Sequence, residues 1–301
     1  MAETSKSAKA DQERVNGVAE IYNETAGTME RMCGEHIHHG YYEPGSAPAS
    51  MSAHPAAQVR MIDEVLRSAS VSVDPEKRPK SILDIGCGIG GTCLHLARKY
   101  GAQCKGIAIS PVEVERAQAL AAAQGLQGQV SFAVADALSL PFPEGQFDLI
   151  WCMETSEYIA DKEKLVSEFV RVAAPGGTII LASWCHRDLS PSEKSMKPDE
   201  EKLIKKICDL NLFPPFCSSS DYIKLFKSHP LEDIKAEEWS QYASPTWPLL
   251  IGETFTIKGF ISLLWTGGWK AVKLVTSVQT MMKAHQKGAL KFAVISCRKP
   301  K

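Results

Sequence analysis

The chain has 301 residues, 44% hydrophobic and 23% charged, a balance that excludes wholesale disorder and fibrous repeats. Lys and Arg total 34 against 35 Asp and Glu, for a net charge of -1, so the general electrostatic drive of a nucleic-acid coat is absent, although a local basic patch is not excluded. The longest apolar run near the C-terminus, residues 259–265, falls far short of the ~20 residues a bilayer span needs. The length allows one α/β domain with insertions, or two smaller domains.

Residues 1–12 are small, Lys- and Ser-rich, and expected to be a disordered tail. They lack the apolar stretch of a signal peptide, and Glu3, Asp11 and Glu13 make them too acidic for a transit peptide, so an untargeted, cytoplasmic protein is expected. Val15, Val18, Ala19 and Tyr22 recur at helical spacing and predict a helix over 12–22. The segment Gly34–Gly45, with His36, His38, His39, Tyr41 and Tyr42, reads as a shaped loop. A second helix is predicted over 56–69, with Val59, Ile62, Val65 and Leu66 on one face.

From Ser81, short apolar runs alternate with helical stretches, the pattern of a parallel sheet wound in βαβ units. Strands are predicted over 81–85, 103–109, 130–135, 147–153 and 178–184, and helices over 91–100, 111–124 and 162–173. After Trp184 the alternation stops, and a long aromatic stretch leads to a closing strand over 291–297. The nine cysteines include no Cys-x-x-Cys pair and are odd in number, which suits reduced, buried thiols rather than disulfides or a zinc site.

Leu83-Asp-Ile-Gly-Cys-Gly-Ile-Gly-Gly91 follows a predicted strand and opens a predicted helix. Its Gly86, Gly88 and Gly91 have the spacing of the dinucleotide fingerprint, a weak signal alone. Asp84, just before the glycines, would repel a diphosphate and better suits a ligand carrying an ammonium group. About 20 residues on, where a dinucleotide site wants an acid for the ribose, the chain has Ala108-Ile109-Ser110 instead.

With the later Asp136-Ala-Leu-Ser-Leu-Pro-Phe142 and Pro175-Gly-Gly177, the turn resembles that of S-adenosylmethionine-dependent methyltransferases of the Rossmann-like class, over about residues 81–185. The resemblance implies an α/β fold with a seven-stranded Rossmann-like sheet, an N-terminal helical cap and an inserted C-terminal helical lid. It implies S-adenosyl-L-methionine as cofactor, with Gly86, Gly88 and Gly90 beside Asp84 holding the methionine half. Ile109 and Ser110 would flank the ribose and adenine, and Asp136 with the N–H of Ala137 would bind the adenine; the other reading of Asp136 is a helix N-cap.

His36-Ile-His-His-Gly-Tyr-Tyr-Glu-Pro44, Gly106-Ile-Ala-Ile-Ser-Pro111, Arg171-Val-Ala-Ala-Pro-Gly-Gly-Thr-Ile-Ile180 and Ser183-Trp-Cys-His-Arg187 are similar to the plant γ-tocopherol methyltransferase group, from about Val18 to the C-terminus. The branch of that group without a plastid transit peptide comprises N-methyltransferases of monoterpenoid indole alkaloids. The resemblance implies a cofactor-lid role for His38 and His39. Three departures stand out. Tyr158 replaces the imidazole of the usual Ser-Gly-Glu-His run. Glu113 replaces a glutamine, and either meets the ribose hydroxyls or is a solvated first-turn acid. Met32-Cys33 stands where a tryptophan is usual.

Methyl transfer is an in-line displacement that rests on proximity, alignment and exclusion of water. Glu154, Glu157 and Tyr158, at the carboxyl edge of the fourth strand, are the catalytic candidates for taking a proton; Glu157 can also be an ordinary helix-start acid. The histidine loop has no recognised set of metal ligands, and no metal is expected. Tyr158, His186, Phe213, Trp239, Trp247 and Trp265 are candidates for enclosing a flat polycyclic substrate, with plain packing as the alternative. The last helix, predicted over 270–287 with Val272, Val275, Val278 and Met282 on one stripe, packs on the domain or touches a membrane peripherally. A homodimer is left open.

The expected organisation is one domain over 13–301, with a cofactor core at 81–185 and a substrate lid at about 188–290. The expected reaction moves a methyl group from S-adenosyl-L-methionine to a nitrogen of a monoterpenoid indole alkaloid, with no nucleic-acid partner. The alternatives are C-methylation of γ-tocopherol and a non-catalytic scaffold that only binds the cofactor.

Overall fold

The computed structural model describes residues 2–45, 50–254 and 269–301. Helix α1 (Ala2–Cys33) and α2 (His54–Ser68) precede the alternating region β1 (Ser81–Ile85), α3 (Gly91–Tyr100), β2 (Gln103–Ala108), α4 (Pro111–Ala123), β3 (Val130–Val134), β4 (Phe147–Met153), α5 (Lys162–Val172) and β5 (Ala173–His186). The chain continues through α6 (Pro198–Asn211), α7 (Ser219–Lys227), β6 (Glu232–Glu238), α8 (Ser240–Ala243), α9 (Thr246–Thr254), α10 (Trp269–Gln286) and β7 (Leu290–Arg298).

The seven strands form one sheet in the order β3-β2-β1-β4-β5-β7-β6. β7 runs antiparallel to both neighbours and the other pairings are parallel. The inner strands are nearly continuous apolar runs because helices cover both faces. Successive side chains point to opposite faces. Ile82, Leu149, Trp151 and Ile180 therefore join the core beneath α2 and α3, while Leu83, Ile150 and Leu181 join Leu165, Val166 and Phe169 of α5 in the other. From β1 the chain winds outward to β2 and β3, then returns to β4 on the other side. That reversal opens a crevice at the carboxyl ends of β1 and β4, where α/β sheets bind ligands.

Two elements differ from expectation. α1 extends well beyond 12–22 at both ends and takes in residues 2–12, read from composition as a disordered tail. The segment contains no proline and is rich in Ala and Lys, which are good helix formers, and the helix is anchored further along by buried Val18, Ala26 and Cys33. β6 was not visible in the sequence because its only apolar residues, Ile234 and Ala236, sit among Glu and Lys; charged side chains of this kind are how exposed edge strands resist pairing with other chains. The stretch after Trp184 is thus not lid throughout, since Tyr222 and Phe226 of α7 are buried in the core against α5.

In α10, Val278, Met281 and Ala284 are buried while Val272 and Leu274 are exposed, so the inner stripe begins later than expected. No helix among the described residues is long and apolar enough to cross a membrane. All nine cysteines are free thiols.

Candidate active site

The glycine turn needs its glycines for two separate reasons. Gly86, Gly88 and Gly90 have φ of 79°, 52° and 91°, which favours residues without a Cβ. The turn is also tightly packed: a Cβ on Gly86 would lie 1.9 Å from Thr155 Oγ1, and one on Gly91 2.2 Å from the carbonyl oxygen of Glu35. At Gly88 the nearest atoms would be Glu113 Oε1 at 3.8 Å and Ile37 Cδ1 at 3.9 Å. The chain thus leaves room over Gly88 and closes the turn elsewhere.

Two buried acids border this turn. Asp84 accepts from Cys93 Sγ at 3.5 Å, and burial pushes its carboxyl up to about 7. Glu113 is 4% exposed, which excludes the solvated first-turn reading; its Oε1 has no partner and burial raises it to about 7. Its N–H is capped by Ser110 Oγ at 3.1 Å, and that hydroxyl donates to Asn23 of α1 at 2.7 Å. Ile109 is half-buried beside it. Asp136 is exposed and Ala137 buried; Asp136 Oδ1 accepts from the Leu138 N–H at 2.8 Å, a local turn bond that leaves its other oxygen for a second donor.

At the end of β4, Glu154 adopts a left-handed backbone with φ 51°. Its carboxylate accepts from the His39 N–H at 2.8 Å and pairs with His39 Nδ1 at 2.6 Å. Burial pushes this carboxyl up, but the charge and bonds of the histidines outweigh it and hold the group below its usual range. Glu157, three residues on, is 3% exposed. Its Oε1 accepts from the Trp184 N–H at 2.6 Å, and its Oε2 has no partner. Burial, and secondarily the charge of Glu154, push it up to about 7. The two neighbouring carboxyls are thereby set apart, one ionised and one poised near neutrality.

Tyr158 accepts from the Tyr22 hydroxyl at 2.7 Å and packs edge-on against Phe213, with centroids 4.7 Å apart. Burial pushes both phenols up, so both are neutral. The histidine loop is held by Gln58, which donates to the carbonyls of His36 and His38 at 2.6 and 2.9 Å. Burial lowers His38, and its Nε2 is buried without a partner, as is that of His39.

Of the expected substrate-lining residues, the fold brings Tyr158 and Phe213 together. Trp239 is buried, with its ring against Tyr41 and Tyr242 and its indole N–H bonded to Glu237. Trp247 is buried against Trp184 and His39. Both tryptophans back the histidine loop. His186 Nδ1 donates to the carbonyl of Arg187 at 2.8 Å, and Arg187 is tied to Glu193 and Glu200, an arrangement that anchors the end of β5. Trp265 lies outside the described residues. Tyr22 was not expected at the site: it is one apolar position of a helical stripe, with no local signal that α1 would cross the sheet edge. Among the described residues, no cluster of three or more His, Cys, Asp or Glu is arranged to hold a metal ion.

The cradle fits a nucleoside sulfonium cofactor on the structure's own terms. There is room over Gly88, a buried acid lies beneath the turn, and Glu113 Oε1 has no protein partner. Sheet order and cradle together define a class I S-adenosylmethionine-dependent methyltransferase. Residues 83–181 match the family described as Methyltransferase domain. The chain is 53% identical over 284 residues to "Probable tocopherol O-methyltransferase, chloroplastic" of Oryza sativa subsp. japonica, covering 94% of this chain and 78% of that protein. It is 52% identical over 291 residues to norajmaline N-methyltransferase of Rauvolfia serpentina, covering 96% and 99%. Among solved structures, geranyl diphosphate C-methyltransferase from Streptomyces coelicolor A3(2), in complex with S-adenosyl-L-homocysteine, shares the fold with a TM-score of 0.74 over 95% of this chain and 98% of that one, at 16% identity. The chain belongs to the plant tocopherol O-methyltransferase-like family, which includes alkaloid N-methyltransferases.

Proposed function

We propose that this methyltransferase acts on a nitrogen of a monoterpenoid indole alkaloid. Identity to the rice and Rauvolfia proteins is nearly equal, so the choice rests on the site. The observation that carries it is the unequal pair Glu154 and Glu157 beside the neutral phenol of Tyr158. Methylation of an aromatic ring carbon calls for a general base at the ring hydroxyl, and where the family's usual run has an imidazole this chain has the neutral phenol of Tyr158. An amine gives up its proton only as the N–C bond forms, and a carboxyl near 7 can accept it.

S-adenosylmethionine, when bound, supplies an electrophilic methyl group and a sulfur leaving group. Asp84, the glycine turn and Glu113 hold the methionine and ribose portions, with Ile109, Ser110, Asp136 and Ala137 at the adenine. Glu154 stays ionised and favours positive charge at the edge of β4. Glu157 Oε2 takes the proton from the nitrogen as the N–C bond forms and the C–S bond breaks, then releases it to solvent. Tyr158 and Phe213 flank the ring system, and His38 and His39 close the roof and exclude water. In this reading the chain is one catalytic domain, with the cofactor core at 81–185 and the lid built from the part of 188–290 outside α7 and β6.

Methyl transfer from labelled S-adenosylmethionine over a panel of norajmaline, ajmaline and γ-tocopherol tests the reading. Transfer to an alkaloid is expected. Transfer to tocopherol alone contradicts it, and tight cofactor binding without transfer to any acceptor favours a scaffold.

A further inference from the structure

Lys162 is the first residue of α5, and its side chain is 7% exposed. A cation in the first turn of a helix opposes the helix dipole, and a buried ammonium costs several kcal/mol unless it is compensated, so nothing in the stability of α5 calls for lysine here. Its Nζ donates to the carbonyl oxygens of Ser156 and Ile159, at the two ends of the short turn that carries Glu157 and Tyr158. The turn is also held by Ser156 Oγ, which donates to Ser183 Oγ at 2.8 Å and accepts from the Tyr222 hydroxyl at 2.9 Å, by the Trp184 N–H donating to Glu157 Oε1 and by the Tyr22 hydroxyl donating to Tyr158.

We propose that Lys162 is a positioning residue for methyl transfer, its buried ammonium clamping the Ser156–Tyr158 turn so that Glu157 Oε2 faces the acceptor nitrogen. The proposal rests on the assignment of Glu157 as proton acceptor. The titratable groups acting on Glu157 are Glu154 at the end of β4 and Lys162; its own charge bears in return on Tyr158 of the same turn, Tyr22 of α1, Tyr222 of α7 and the thiols Cys152 and Cys185. Burial pushes the phenols and thiols up, so they are neutral; burial also lowers Lys162, partly offset by the charge of Glu157, and Lys162 is the cation among the described groups that favours the Glu157 anion.

Three variants, K162M, K162R and E157Q, test this by kcat, KM and the pH profile on the acceptor found by the panel assay, with S-adenosylmethionine affinity as a control for folding. For K162M, kcat should fall about tenfold or more with cofactor affinity within about twofold of wild type. Its acid limb should move to higher pH by a small amount, because the Glu157 anion loses its cation but Lys162 is the least of the influences on that carboxyl. K162R, which keeps charge and donors, should hold the limb at the wild-type pH and recover part of kcat. A K162M enzyme with wild-type kcat and limb, beside an inactive E157Q, overturns the role of Lys162 and leaves that of Glu157 standing. Equal losses of kcat and cofactor affinity with an unmoved limb also overturn it, since they mark general damage. An active E157Q instead refutes the proton-acceptor assignment itself. If K162M does not fold, K162Q, which keeps a donor without the charge, decides: a reduced kcat with the limb at higher pH and intact cofactor binding supports the clamp, and wild-type kcat and limb reject it.

Discussion

His39 and Glu154 are joined twice, the backbone N–H of His39 donating to one carboxylate oxygen at 2.8 Å and Nδ1 meeting the other at 2.6 Å. The two contacts tie the N-terminal loop to the end of β4 and brace Glu154 in its left-handed backbone. Strain of this kind persists where the surroundings over-determine it. Changing His39 to Ala removes the imidazole from a buried carboxylate and should cost about 3 kcal/mol of stability near neutral pH. A carboxyl held below its usual value contributes stability above that value and loses it as pH falls through the lowered one. The deficit in melting temperature should therefore shrink as pH falls below the ordinary 4.5 toward the lowered value, and a deficit that stays constant down to the acid limit of folding would contradict the pairing.

The glycine turn separates folding from binding. Gly86→Ala would drive a Cβ to within 1.9 Å of Thr155 Oγ1 and should cost more than ~1 kcal/mol, since alanine is also strained at positive φ. Gly88→Ala meets no atom closer than 3.8 Å. It should fold, at a cost of about 1 kcal/mol for alanine at φ 52°, but its methyl group would intrude on the cofactor, and affinity should fall at least tenfold, about 1.4 kcal/mol. Calorimetry on both variants checks this; tight cofactor binding by Gly88→Ala would move the cradle elsewhere.

Glu113→Gln keeps the shape of a buried side chain whose Oε1 has no partner, and Asp136→Ala removes an exposed acceptor at the end of β3. Each should raise the dissociation constant of S-adenosylmethionine, Glu113→Gln by about tenfold above pH 7, where the acceptor it replaces is charged. Unchanged constants in both would remove these residues from the adenosyl site.

Asp84, Glu113 and Glu157 are all raised to about 7 by burial, so they bind protons more tightly folded than unfolded. Burial lowers His36 to about 3 and His54 to about 4. Below the ordinary histidine value of 6.5 the two sets oppose each other as pH changes. From 6.5 upward through about 7 the contribution of the histidines fades while the acids still titrate differently in the two states, and stability without cofactor should decline. Glu157→Gln should flatten that slope. Thermal melts across this range test it; stability rising with pH would refute the raised carboxyls.

The cofactor half of the site was legible because its constraints are local: a strand, a turn that excludes side chains and a helix start all lie within residues 81–100. The acceptor half was legible only as a set of candidates. Glu154 and Glu157 are separated by two residues, yet their environments come from His39 and Trp184, residues remote in sequence that the sheet edge brings together. Aromatic character did not distinguish Phe213, which meets Tyr158, from Trp239 and Trp247, which are consumed in packing behind the histidine loop. Tyr22 and Lys162 carried no signal, since a tyrosine on an apolar stripe and a lysine at a helix start are ordinary in sequence and acquire meaning from what they reach.

The most direct test of nitrogen methylation is the position of the new bond. The enzyme would be given a methyl donor carrying a ¹³C label together with equimolar norajmaline and γ-tocopherol, and the products read by carbon–proton correlation. The label is expected as an N-methyl group on the alkaloid, with tocopherol unchanged. A label attached to an aromatic ring carbon of tocopherol, with the alkaloid untouched, would contradict the account.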